Sequence, residues 1–78
     1  MLSAPPPDDW VLARRRAIGE QIRTARRARK VTQEALAEAA GLDRQSINRI
    51  ENGHQAAFID SLIRIAHALD IPLADLVR

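Results

Sequence analysis

Thr32-Gln33-Glu34-Ala35-Leu36-Ala37-Glu38-Ala39-Ala40-Gly41-Leu42-Asp43-Arg44-Gln45-Ser46-Ile47-Asn48-Arg49-Ile50-Glu51-Asn52-Gly53 is the stretch on which the fold turns. Thr32 offers a side-chain oxygen to the free amides of a helix from Gln33 to Ala40. Gly41 ends that helix, because it enters the left-handed region without a Cβ clash. Asp43 then caps a further helix over residues 43–52, which Gly53 stops. Leu36, Ala40, Leu42, Ile47 and Ile50 form the face the two helices share, and the small side chain of Ala37 allows them to cross closely. Ile47 and Ile50, three apart, decide which side of the later helix points inward.

The opposite side presents Gln45, Asn48, Arg49 and Asn52, with Arg44 and Ser46 near the amino end. These residue types suit the edges of base pairs. An arginine makes a paired contact with guanine O6 and N7, and a glutamine does the same with adenine N6 and N7. Gln33 opens its helix, where free amides and the helix dipole favour a phosphate.

Working outward, Trp10 to about Arg29 holds no helix breaker except Gly19, and Ile18, Ile22 and Ala25 make one apolar stripe. Asp8 or Asp9 is the expected N-cap. Arg16, Arg23, Arg27 and Lys30 lie on the far side of the wheel and read as a solvated face that attracts anions at long range. Beyond a loop near 54–58, Leu62, Ile65, Ala66 and Leu69 restore the helical period, and Leu73 to Val77 reads as a last short turn. Sustained alternation of period two is missing, so the expectation is an all-α bundle of five short helices over residues 10–78. Residues 1–9, with Pro5-Pro6-Pro7, read as a flexible tail.

The 78 residues allow one small domain. Twelve basic and ten acidic side chains give a net charge of only +2, but residues 11–30 alone carry +7. The absence of cysteine excludes disulfides and thiol chemistry and fits a reducing cytoplasm. No apolar run approaches the roughly 20 residues that span a bilayer, and the amino terminus lacks the pattern of a secretory signal. Catalysis is not expected. Glu34 and Glu38 are surface carboxylates, His54 and His67 have no third metal ligand at suitable spacing, and the hydroxyls of Thr32, Ser46 and Ser61 lack a base with an orienting partner. No cofactor, metal or small-molecule effector domain is expected.

Across Ile18 to about Leu76 the chain resembles the Cro/cI-type, or xenobiotic-response-element, helix-turn-helix family, a lambda-repressor-like bundle. The resemblance rests on Thr32-Gln-Glu-Ala-Leu-Ala, Gly41-Leu-Asp, Ser46-Ile-Asn-Arg-Ile-Glu-Asn-Gly53 and Leu62-Ile-Arg-Ile-Ala-His-Ala-Leu-Asp-Ile-Pro-Leu73. It implies a transcriptional regulator that binds a palindromic double-stranded DNA operator as a homodimer. Carried over by position, Arg44, Gln45 and Arg49 would read bases, and Ser46 would touch a base or a phosphate. Gln33, Asn52, His54 and Gln55 would hold the phosphate backbone. Arg26 and Glu51 occupy the positions of a structural ion pair.

Relatives often carry a Ser or Thr cap before the fourth helix, and this chain has Ala57-Phe58-Ile59 instead. The excess of large apolar residues suggests a dimer interface of Phe58, Ile59, Leu73, Leu76 and Val77. Within the family, the size is similar to stand-alone controller proteins of restriction–modification systems. The alternative is a protein-interaction module, such as an antitoxin or adaptor, with DNA binding secondary.

Overall fold

The computed structural model describes residues 8–78, which form five helices: α1 (Asp9–Ala28), α2 (Gln33–Ala40), α3 (Arg44–Glu51), α4 (Ile59–Ala68) and α5 (Ala74–Val77). Among the described residues there is no strand. Most of the tail expected at the amino end, residues 1–7, lies outside the described residues. Asp9, placed in that tail by the sequence reading, is already helical. Asp8 takes the N-cap position, but its carboxylate makes no capping hydrogen bond, so charge alone favours this end of α1.

The tight turn forms as its residue types dictate. Thr32 Oγ1 accepts from Ala35 N at 3.0 Å, and Asp43 Oδ1 accepts from Ser46 N at 2.8 Å. Gly41 sits at φ +70°, and beyond it Leu42 N donates to Ala37 O at 2.9 Å. That pair of features is the Schellman ending. α3 ends the same way at Gly53, with His54 N donating to Arg49 O at 2.9 Å. α1 and α4 also close in this manner, but with side chains in the left-handed position: Lys30 at φ 56° and Asp70 at φ 55°. Phe58 stands at the N-cap position of α4 and provides no side-chain hydrogen bond.

The core joins Ile22 of α1, Leu36, Ala37 and Ala40 of α2, Ile47 and Ile50 of α3, Ile65 and Ala66 of α4, Leu69, and Leu76 of α5. α2 packs against α3 and α4, while α1 packs against α3 and α5. Gly19, the one apparent flaw in the first helix, marks the crossing of α1 with the end of α3. A Cβ there would stand 2.5 Å from Glu51 O and 2.8 Å from Glu51 C, a clash with backbone that cannot move aside. Leu76 corrects one expectation. Expected at a dimer interface, it has no exposed surface in the single chain and belongs to the core. Leu73 and Val77 are half-buried against that core.

Candidate nucleic-acid interface

α3 divides the polar residues of the site into two sets. On its inner edge Glu51 is 2% exposed and Arg26 of α1 is 9% exposed. Arg26 Nε donates to Glu51 Oε2 at 2.7 Å and Arg26 Nη2 to Oε1 at 3.1 Å, a two-pronged pair across the α1–α3 contact. The third arginine nitrogen, Nη1, donates to Val31 O at 2.9 Å. Gln33 Nε2 adds a bond to Glu51 Oε1 at 3.1 Å, and Arg23 Nε stands 3.5 Å from the same oxygen. Burial pushes the Glu51 carboxyl up. The bonds from Arg26 and Gln33, with the charges of Arg26 and Arg23, outweigh it and hold the group below the usual glutamate range.

The network runs on toward the surface. Gln33 Oε1 accepts from Asn48 Nδ2 at 3.3 Å, and Asn52 Nδ2 donates to Asn48 O at 2.8 Å. Asn52 Oδ1 accepts from Arg23 Nη2 at 2.6 Å, and Arg23 Nη1 reaches Glu20 at 3.0 Å. Gln33 and Asn52, expected to hold phosphates, are thus members of an internal network first. Arg23 is a correction too. Its side chain is 21% exposed and ties α1 to α3, so it is not part of a purely solvated stripe. Spacing places Arg23 one turn before Arg26, but its partners Asn52 and Glu51 lie at the end of α3.

The outer face of α3 is different. Arg44, Gln45 and Arg49 are exposed, and among the described residues their side chains make no hydrogen bond or ion pair. Ser46 is half-buried, and its hydroxyl donates to Asp43 Oδ2 at 2.9 Å. The proton a phosphate contact would need is therefore committed to the cap, leaving the oxygen as an acceptor. The two bonds from Ser46, backbone first, hold the Asp43 carboxyl below its ordinary value. His54 is exposed and Gln55 half-buried in the loop after α3. An open polar cleft of about 540 Å³ lies between the end of α1, the start of α2 and α3, lined by Arg23, Arg27 and Arg44 with Gln33, Asn48 and Asn52.

Two exposed apolar sites stand apart from this face. Phe58 and Ile59 are 82% and 66% exposed, and Ile63, which the sequence reading did not single out, joins them one turn along α4. Trp10 is exposed near the start of α1. Among the described residues no helix is long and apolar enough to cross a membrane, and no group of three potential metal ligands occurs.

Comparison with known proteins places this geometry. A helix-turn-helix family model matches residues 22–76, which span α2 through most of α5 and the end of α1. The restriction-modification controller protein C.AhdI from Aeromonas hydrophila superimposes with a TM-score of 0.81 at 33% identity, over 82% of this chain and 97% of that one. The clp gene regulator ClgR from C. glutamicum gives a TM-score of 0.77 at 30% identity, over 81% of this chain and 82% of that one. An uncharacterized HTH-type transcriptional regulator of Sinorhizobium fredii, y4dL, is 38% identical over 56 residues, or 72% of this chain. The chain spans 29% of that relative's length. With the family matched across the turn and both helices that flank it, the chain belongs to the helix-turn-helix family of DNA-binding transcriptional regulators.

Proposed function

We propose that the chain recognises a palindromic operator as a two-fold dimer, each subunit laying α3 in the major groove. One observation carries this reading: among the described residues Arg44, Gln45 and Arg49 extend from a single helix face without internal partners, while the other face is locked by the core and the Glu51 network. Partnerless long donors on a rigid support are what base-edge recognition requires. Arg44, Gln45 and Arg49 act as base readers. Ser46 holds the start of α3 in register and keeps only acceptor capacity toward a base. The backbone of the operator is held by the remaining Gln33 N–H, His54 and Gln55, and the arginine-lined cleft supplies attraction that salt weakens. Asn52 contributes by bracing Arg23 and Asn48.

The dimer forms through Phe58, Ile59 and Ile63, exposed at the start of α4, with the half-buried Leu73 and Val77 as further candidates. A two-fold partner pairs such a surface with itself. Similarity to C.AhdI over nearly all of that protein favours a controller-type regulator. The test is selection of bound duplexes from a random pool. An inverted repeat with half-sites about 34 Å apart, one helical turn, is expected. Enrichment of a single unrepeated site, or none, would overturn the palindromic dimer.

A further inference from the structure

Asn48 is exposed on α3, yet it belongs neither to the open readers nor to the buried pair. Three amide side chains run in series through it. Gln33 Nε2 donates to Glu51 Oε1 at 3.1 Å, and Asn48 Nδ2 donates to Gln33 Oε1 at 3.3 Å. Asn52 Nδ2 donates to Asn48 O at 2.8 Å and to Asn48 Oδ1 at 3.3 Å. Arg23 Nη2 completes the series by donating to Asn52 Oδ1 at 2.6 Å.

The two ends of the series decide its direction. A carboxylate only accepts and a guanidinium only donates. Glu51 therefore requires the amino group of Gln33, and Arg23 requires the oxygen of Asn52. Turning over any one amide would set acceptor against acceptor on one side and donor against donor on the other. Asn48 is thus held with its oxygen tied back to Asn52, while its amino group keeps one free proton, as does that of Gln33. A paired contact with adenine needs the amide oxygen and amino group together, so this orientation does not suit one. Two free amino protons side by side call for an acceptor, and the charge around them selects an anion. Gln33 and Asn48 line the polar cleft with Arg27 and Arg44, which make no ion pair among the described residues, and Glu34 is the one acid in that lining.

We propose that Asn48 holds the DNA backbone: it donates, with Gln33, to one phosphate and reads no base. This role rests on the DNA-binding reading of α3. Because Gln33 belongs to α2 and Asn48 to α3, one phosphate fastens both helices of the turn and sets the register in which Arg44, Gln45 and Arg49 meet the base edges.

The test compares the duplex selected from a random pool with copies that carry a neutral methylphosphonate at one phosphate at a time. Asn48→Ala is expected to weaken binding of the unmodified duplex about tenfold, the loss of one hydrogen bond to a charged acceptor. Asn48→Asp, equal in size but with no proton to donate at neutral pH, weakens it further. At one phosphate of each site that α3 occupies, neutralisation costs Asn48→Ala and Gln33→Ala less than it costs the wild type, because part of the contact is already gone. A pool reselected with Asn48→Ala returns the wild-type consensus, and thermal unfolding shows the variant folded. A changed preference at one base position would make Asn48 a reader and overturn the proposal. Equal cost of neutralisation in wild type and Asn48→Ala at every phosphate overturns it too. A pool that enriches nothing overturns the operator reading and this role with it, whereas an enriched duplex bound equally by wild type and Asn48→Ala overturns this role alone.

Discussion

The two sides of α3 use the same residue types for opposite ends. On the inner side, Arg26, Arg23 and Gln33 converge on the carboxylate of Glu51, and nearly every donor has a protein acceptor. On the outer side, Arg44, Gln45 and Arg49 are exposed and stand without one among the described residues. An arginine whose fork is filled by its own protein orients a helix, and an arginine left open is available to something else. The buried pair is weak evidence of net stability, since desolvation offsets much of its attraction. Its use is to fix the angle of α3 against α1, so that the open set is presented rigidly.

The sharpest way to break this contrast is to remove the carboxylate at the centre of the inner set. Glu51→Ala leaves Arg26 buried without its counter-charge and is expected to lower unfolding free energy by about 3–5 kcal/mol, measured by urea denaturation. The same group gives a pH signature. Its folded pKa lies below the ordinary value, so the unfolded chain takes up this proton first as pH falls. Stability from Glu51 is therefore present above the ordinary glutamate range and lost as pH drops through it toward the folded value. Glu51→Gln should flatten that part of the stability–pH curve.

A smaller effect tests where the inner set stops. Arg23→Ala removes a hydrogen-bonded charge and is expected to destabilise by about 1–2 kcal/mol, whereas Arg27→Ala, on an exposed position, stays within about 0.5 kcal/mol. Equal effects would return Arg23 to the solvated face. The smallest change concerns the helix ends. Lys30→Gly relieves a side chain held at φ 56°, and the gain is up to about 1 kcal/mol after the greater freedom of glycine in the unfolded chain is subtracted. Thermal unfolding would show it as a modest rise in Tm.

Much of this was legible in the sequence, for identifiable reasons. Thr32, Asp43, Gly41 and Gly53 each have a local chemistry that determines a helix end, so the expected bounds of α2 match and those of α3 differ by one residue at each end, where Asp43 and Asn52 are caps. The ends of α1 and α4 carry no glycine, and Lys30 and Asp70 adopt the left-handed conformation only because the following residue bonds back across the turn. Leu76 was misassigned because a helix of four residues is too short to establish which side faces inward. Arg23 was misplaced because a helical wheel gives direction but not what packs there, and Glu20, Asn52 and Glu51 come from other turns or another helix. At the candidate interface, the wheel puts Gln45, Asn48, Arg49 and Asn52 outward with Arg44 near the amino end, and the family resemblance narrows the readers to Arg44, Gln45 and Arg49. That Gln33 and Asn52 are engaged within the protein depended on distances between elements that spacing does not contain, whereas Ser46 is held by Asp43 only three residues away.

The central claim is that α3 reads sequence with its open set while its inner set only holds it in place. The most direct test measures binding of wild type, Arg44→Ala and Arg49→Ala to the selected duplex and to a scrambled one at a single salt concentration, with unfolding followed in parallel. Each variant should lose about 1–3 kcal/mol on the selected duplex and little on the scrambled one, with stability unchanged within about 0.5 kcal/mol. Wild-type affinity in both variants, or equal losses on the two duplexes, would contradict it.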